Sequence, residues 1–144
     1  MWYNRFVNLI LRSPLHGLIS HGIMLIIYTG RKSGQTYATP ISYVYEEERV
    51  LLTSSFRHRA WWRNLRDNPP VTLRLRGRDV PATVELFTED ADVAHYLTVY
   101  IDRQPKMADY CYVALDGDGR PNPTDLAAAA AKRVIVRTTL RDKT

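Results

Sequence analysis

The stretch VTLRLRGRDVPATVELF, residues 71–87, decides how the chain is read. From Val71 to Arg76 apolar and polar residues alternate with period two, as in a strand buried on one face only. Gly77-Arg78-Asp79 turns the chain back into a second run, Val80–Phe87, whose start Pro81 weakens without abolishing it. Two such runs joined by a short turn make an antiparallel hairpin.

The same signals recur on both sides. Ile23–Thr29 reads as a buried strand, Tyr37–Tyr45 as a second with Pro40 marking an edge or bulge, and Val50–Ser55 as a third after a Glu46-Glu47-Glu48 turn. Lys132–Leu140 closes the series. Between strands, Arg59–Asp67 suggests a short helix stopped by Asn68-Pro69-Pro70. Thr88 with acids behind it starts a helix through Val93, Tyr96, Leu97 and Tyr100, and Thr124 caps an alanine-rich one. Residues 115–123 are loop. The N-terminal residues 1–20 read as helical pieces broken at Ser13-Pro14 and packed on the core, with peripheral membrane contact as the alternative. Some six strands in consecutive hairpins predict a mainly β (α+β) chain, a small antiparallel barrel with short flanking helices.

With 144 residues, 45% hydrophobic and 24% charged, the chain fits one ordered domain spanning 1–144. Cys111 is the only cysteine, which excludes an intrachain disulfide and fits a reducing, cytoplasmic setting. The clean apolar run from Gly22 to Gly30 is far short of the roughly 20 residues a spanning helix needs, and no signal peptide is expected. The net charge is +5, and residues 49–78 hold eight arginines against one acid, Asp67. Such a basic centre attracts phosphates, polyanionic cofactors or nucleic acid, or serves as a solvated face.

Chemistry emerges by elimination. The four histidines, His16, His21, His58 and His95, have no metal-ligand spacing. Nucleophile elbow, Walker loop and dinucleotide fingerprint are missing, and DGDG at 116–119 lacks the other ligands of a calcium loop. What remains is a set of aromatics, hydroxyls and cations, suited to holding a cofactor that carries the reaction. The turn GRKSG, residues 30–34, reads by itself either as a polar hairpin tip or as an anion socket.

Taken together, YTGRKSGQ (28–35), Pro40, RVLLTSS (49–55) and AWWRNLRDNPPVTLRL (60–75) resemble the deazaflavin (F420)-dependent nitroreductase and quinone reductase family. These are split β-barrels related to the FMN-binding pyridoxamine-phosphate-oxidase-like fold. The resemblance covers residues 25–87 well and about half the chain.

It implies a hydride transfer from reduced F420 to a quinone, nitro compound or enone, with FMN as the alternative cofactor. It implies that Arg31, Lys32 and Ser33 bind the anionic tail while Gly30 and Gly34 allow close approach and positive φ. Ser55, Ala60, Trp61 and Asn64 match the segment near the ring, and Arg57 and Arg59 stand where tail carboxylates could be met. Asp109-Tyr110 matches a pair whose tyrosine faces the substrate, making Tyr110 and Ser55 the catalytic candidates, with Tyr112 and Tyr100 as neighbours. A homodimer is expected, and nucleic acid is not. A cofactor carrier, or a nucleic-acid platform built on Arg74 and Arg76, would be a different use of the same barrel. Tyr37 stands where relatives often carry a basic residue.

Overall fold

The computed structural model describes residues 22–141; the N-terminal helical pieces expected over 1–20 lie outside them. Seven strands form one antiparallel sheet: β1 (Ile23–Thr29), β2 (Thr36–Ser42), β3 (Val44–Glu47), β4 (Val50–Phe56), β5 (Val71–Leu75), β6 (Arg78–Phe87) and β7 (Arg133–Leu140). Their order is β2-β1-β5-β6-β7-β4-β3. The two edges of this sheet, β2 and β3, are separated in the chain by Tyr43 alone. The sheet must therefore curl until its ends meet, and Thr53 of β4 seals the seam by donating to the Ser42 carbonyl at 2.9 Å. The result is a split barrel.

The seventh strand arises because the expected strand 37–45 breaks at Tyr43, passing from one edge of the sheet to the other. Pro40 sits on edge strand β2, where a missing N–H costs no ladder bond. Pro81 is tolerated inside the sheet because β7 pairs with β6 only from Ala82 onward. Two turns lie differently from expectation. Leu75 pairs with Arg78, so the β5–β6 turn is Arg76-Gly77, both with positive φ, and Arg78 and Asp79 already belong to β6. Glu46 and Glu47 extend β3 and leave Glu48-Arg49 as the turn.

Alternation divides β4 between two cores. Leu51 packs inside the barrel with Met24, Ile26 and Leu73, while Leu52 faces helices α1 (Asp90–Arg103) and α3 (Pro123–Lys132). Helix α2, Met107–Tyr110, is a single turn between them. Glu89, not Thr88, is the N-cap of α1. For α3, Asn122 caps by accepting from the Asp125 N–H at 3.0 Å, with Pro123 in the first turn, so the cap lies two residues before the expected Thr124.

Candidate functional site

The loop between β1 and β2 is GRKSGQ, residues 30–35. It closes through Gly30 N–H to the Gln35 carbonyl at 2.7 Å and Gly34 N–H to the Gly30 carbonyl at 3.0 Å. Its two glycines serve different needs. Gly34 has φ +71, which an L side chain rarely adopts. Gly30 does not share that conformation; it supplies space, because a Cβ there would lie 2.6 Å from both Ser33 Oγ and the Tyr37 ring. Tyr37 in turn shares a 3.0 Å hydrogen bond with Ser33 Oγ, which also accepts the Gln35 N–H at 3.2 Å. The tyrosine thus orders the turn's hydroxyl.

Facing the turn is a 3-10 helix, Trp61–Leu65. With three residues per turn, side chains three apart eclipse one another. Trp62 and Leu65 go into the protein; Trp61 and Asn64 form a second column; Ala60, Arg63 and Arg66 form the third. Asn64 joins the two pieces, accepting the Arg31 N–H at 2.9 Å and donating to the Trp61 carbonyl at 3.0 Å. Between turn and helix lies a cavity of about 780 Å3. Arg31, Lys32, Arg63 and Arg66 line it with Ser33, Asn64, Ala60 and the rings of Tyr28, Tyr37 and Trp61, and no carboxylate is among the lining residues. Tyr28 stacks on Tyr37 with ring centres 5.9 Å apart and lies 6.2 Å from Trp61.

Seven of the sequence-named residues thus meet here, Gly30, Arg31, Lys32, Ser33, Ala60, Trp61 and Asn64, while Gly34 shapes the turn from outside the lining. Others lie elsewhere. Ser55 lies behind the wall, accepting the Trp61 Nε1–H at 3.0 Å. Arg57 is engaged by Asp90 at 2.8 Å and by the carbonyls of Ala130 and Arg133, which anchors α3 and α1 to the barrel. Arg59 is exposed outside the cavity lining and accepts from Arg63 through its carbonyl at 3.2 Å. Tyr110 ends α2 on the helix side of β4, half-exposed, against Arg133. Tyr112 is more exposed still, with φ +60, whereas Tyr100 is buried and shares a hydrogen bond with Ser42.

Sequence reading missed Arg63 and Arg66 as site residues, counting them only in the basic centre. The spacing 60-63-66 was the available signal, but it places them on one face only if the helix is 3-10. Arg63 is held for the role, donating to the carbonyls of Arg57 and Arg59, each at 3.2 Å, and both guanidiniums lie on the Trp62 indole. Arg74, by contrast, is paired with Asp79 at 3.2 Å, which weakens any nucleic-acid platform on that strand. Among the described residues no group of His, Cys, Asp or Glu could hold a metal, and no helix is long and apolar enough to cross a membrane.

A split barrel carrying a cation-lined cleft beside tyrosine and tryptophan rings suits an anionic ligand with a flat ring. Residues 13–114 match the model of the F420H(2)-dependent quinone reductase family, and the chain belongs to that family. It is an F420-dependent oxidoreductase, with F420 as its cofactor. Solved structures agree on the fold. A domain-swapped dimer is 18% identical, covering 95% of this chain and 96% of its own, with a TM-score of 0.55. An F420 reductase is 18% identical, with 89% and 93% covered and a TM-score of 0.50. A FAD-binding protein from Mesorhizobium loti is 18% identical, with 90% and 91% covered and a TM-score of 0.54.

Proposed function

We propose that the 780 Å3 cavity holds the tail and ring edge of F420 and that the protein reduces an electron-poor acceptor, a quinone, nitro compound or enone. The carrying observation is the lining itself: four cations and no carboxylate, with a glycine at position 30 whose missing Cβ keeps the turn closed. Such a cleft attracts an anion, more strongly at low salt. Arg31, Lys32 and Ser33 would hold the tail phosphate, and Arg63 and Arg66, across the cleft, its glutamate carboxylates. Trp61 and Ala60 would border the ring. Ser55 contributes indirectly, fixing the Trp61 indole through its hydroxyl. When bound, reduced F420 supplies a hydride; the protein's part is orientation and charge complementarity.

Tyr110 is our candidate for meeting the acceptor. The residue is 48% exposed, and its hydroxyl makes no hydrogen bond among the described residues, so the phenol can donate to an acceptor oxygen. We further propose a homodimer, after the domain-swapped relative, and a cytoplasmic location, consistent with the buried lone Cys111 thiol whose pKa burial raises.

Fluorescence titration with F420 tests the cofactor site, with FMN as competitor. Binding that weakens as salt rises, and turnover with a quinone such as menadione, are expected. Binding without turnover on an acceptor panel would make the protein a carrier, and no binding of F420 would sink the proposal.

A further inference from the structure

Arg133, the first residue of β7, is 1% exposed, and no carboxylate pairs with it among the described residues. A guanidinium withdrawn from water without a counter-charge is costly unless its N–H groups and its faces are all used. Here they converge on two places. Nη1 donates to Ser54 Oγ at 3.2 Å and the guanidinium carbon lies 4.1 Å from the centre of the Phe56 ring, both on β4. Nη2 donates to the Tyr110 carbonyl at 3.1 Å, and the Tyr110 ring centre is 4.9 Å away. One buried side chain therefore grips Tyr110 by backbone and by ring.

Ser54 and Phe56 flank Ser55, the residue that holds Trp61 at the cofactor cavity from the opposite face of β4. We infer that Arg133 is a positioning residue for the acceptor end of the site, pinning the Tyr110 ring to the strand that also fixes Trp61. This rests on the reading of Tyr110 as the acceptor-facing phenol. Lysine cannot substitute, because it lacks the fork that serves two acceptors and the plane that stacks on two rings.

The test compares wild type with Arg133→Lys, alone and in a Tyr110→Ala background. In Arg133→Lys, kcat/KM for menadione should fall about tenfold while F420 affinity by fluorescence stays within about twofold. In the Tyr110→Ala background the same change should have almost no further effect, since residues acting as a unit are non-additive. In cofactor-free protein, hydrogen exchange across 107–113 should quicken while exchange across β1 and β2 does not. Parallel losses of F420 affinity and turnover, full additivity with Tyr110→Ala, or unchanged exchange would overturn the inference. Should Arg133→Lys fail to fold, Ser54→Ala removes one anchor while leaving the charge in place, and the same exchange pattern is required of it. Wild type that binds no F420 would defeat the functional reading, and the exchange measurement on cofactor-free protein would still decide whether Arg133 pins the turn.

Discussion

Gly30 is where a single methyl group would matter. Its absent Cβ would fall 2.6 Å from Ser33 Oγ and the Tyr37 ring, so Gly30→Ala must displace the hydroxyl that the turn offers to an anion. We expect about 1–3 kcal/mol of lost stability from overpacking. F420 affinity should drop by more than that strain alone brings about elsewhere in the barrel, as titration of Gly30→Ala beside a β6 overpacking variant would show. Tyr100 gives a pH prediction. Burial pushes its pKa up to about 12, against a lowering by its hydrogen bond with Ser42. The folded protein thus keeps a proton that the unfolded chain releases near pH 10, so stability is intact below about pH 10 and falls as pH rises towards 12. The loss is of the order of 2–3 kcal/mol at most, and Tyr100→Phe should flatten the decline of Tm in that window.

At the scale of elements, the 3-10 helix and the GRKSG turn behave as one unit because Asn64 bonds both. Asn64→Ala should weaken F420 binding about tenfold while changing Tm little, since it cuts a link lying largely at the surface. Leu65→Ala, at a wholly buried position, should instead cost about 2–5 kcal/mol in denaturant unfolding. What was legible in the sequence follows the same division. Period-two patterning exposed the β5–β6 hairpin, whereas the GRKSG turn by itself stayed open between hairpin tip and anion socket, and only the family resemblance singled out Arg31, Lys32 and Ser33. The break at Tyr43 was not legible, because the only interruption in Tyr37–Tyr45 is Pro40, three residues earlier, and only the closing of the barrel splits the run at Tyr43. Arg57 was misplaced for a related reason. Its partners, Asp90 and the carbonyls of Ala130 and Arg133, lie 33 or more positions away, and nothing local announces them.

For the molecule as a whole, charge is sorted by position. Arg137 is tied to Glu46 at 2.8 Å and Glu85 at 2.7 Å, so one guanidinium staples residues of β3, β7 and β6. The cleft keeps its cations apart from such partners except for Arg31, 3.7 Å from the exposed Asp67. Asp67→Asn should therefore leave stability within about 0.5 kcal/mol, as for an exposed ion pair, and strengthen F420 binding modestly, as a titration at low salt would reveal. Size-exclusion chromatography with light scattering checks the proposed dimer.

The strand order carries a consequence for synthesis. β7 comes last in sequence yet lies between β6 and β4 in the sheet. While the ribosome is still extending the chain, β4 and β6 each present an open edge, and the barrel cannot shut until residues 133–140 emerge. The final residues of the sheet are thus its keystone, and a nascent chain stalled before them would be an aggregation hazard rather than a smaller barrel.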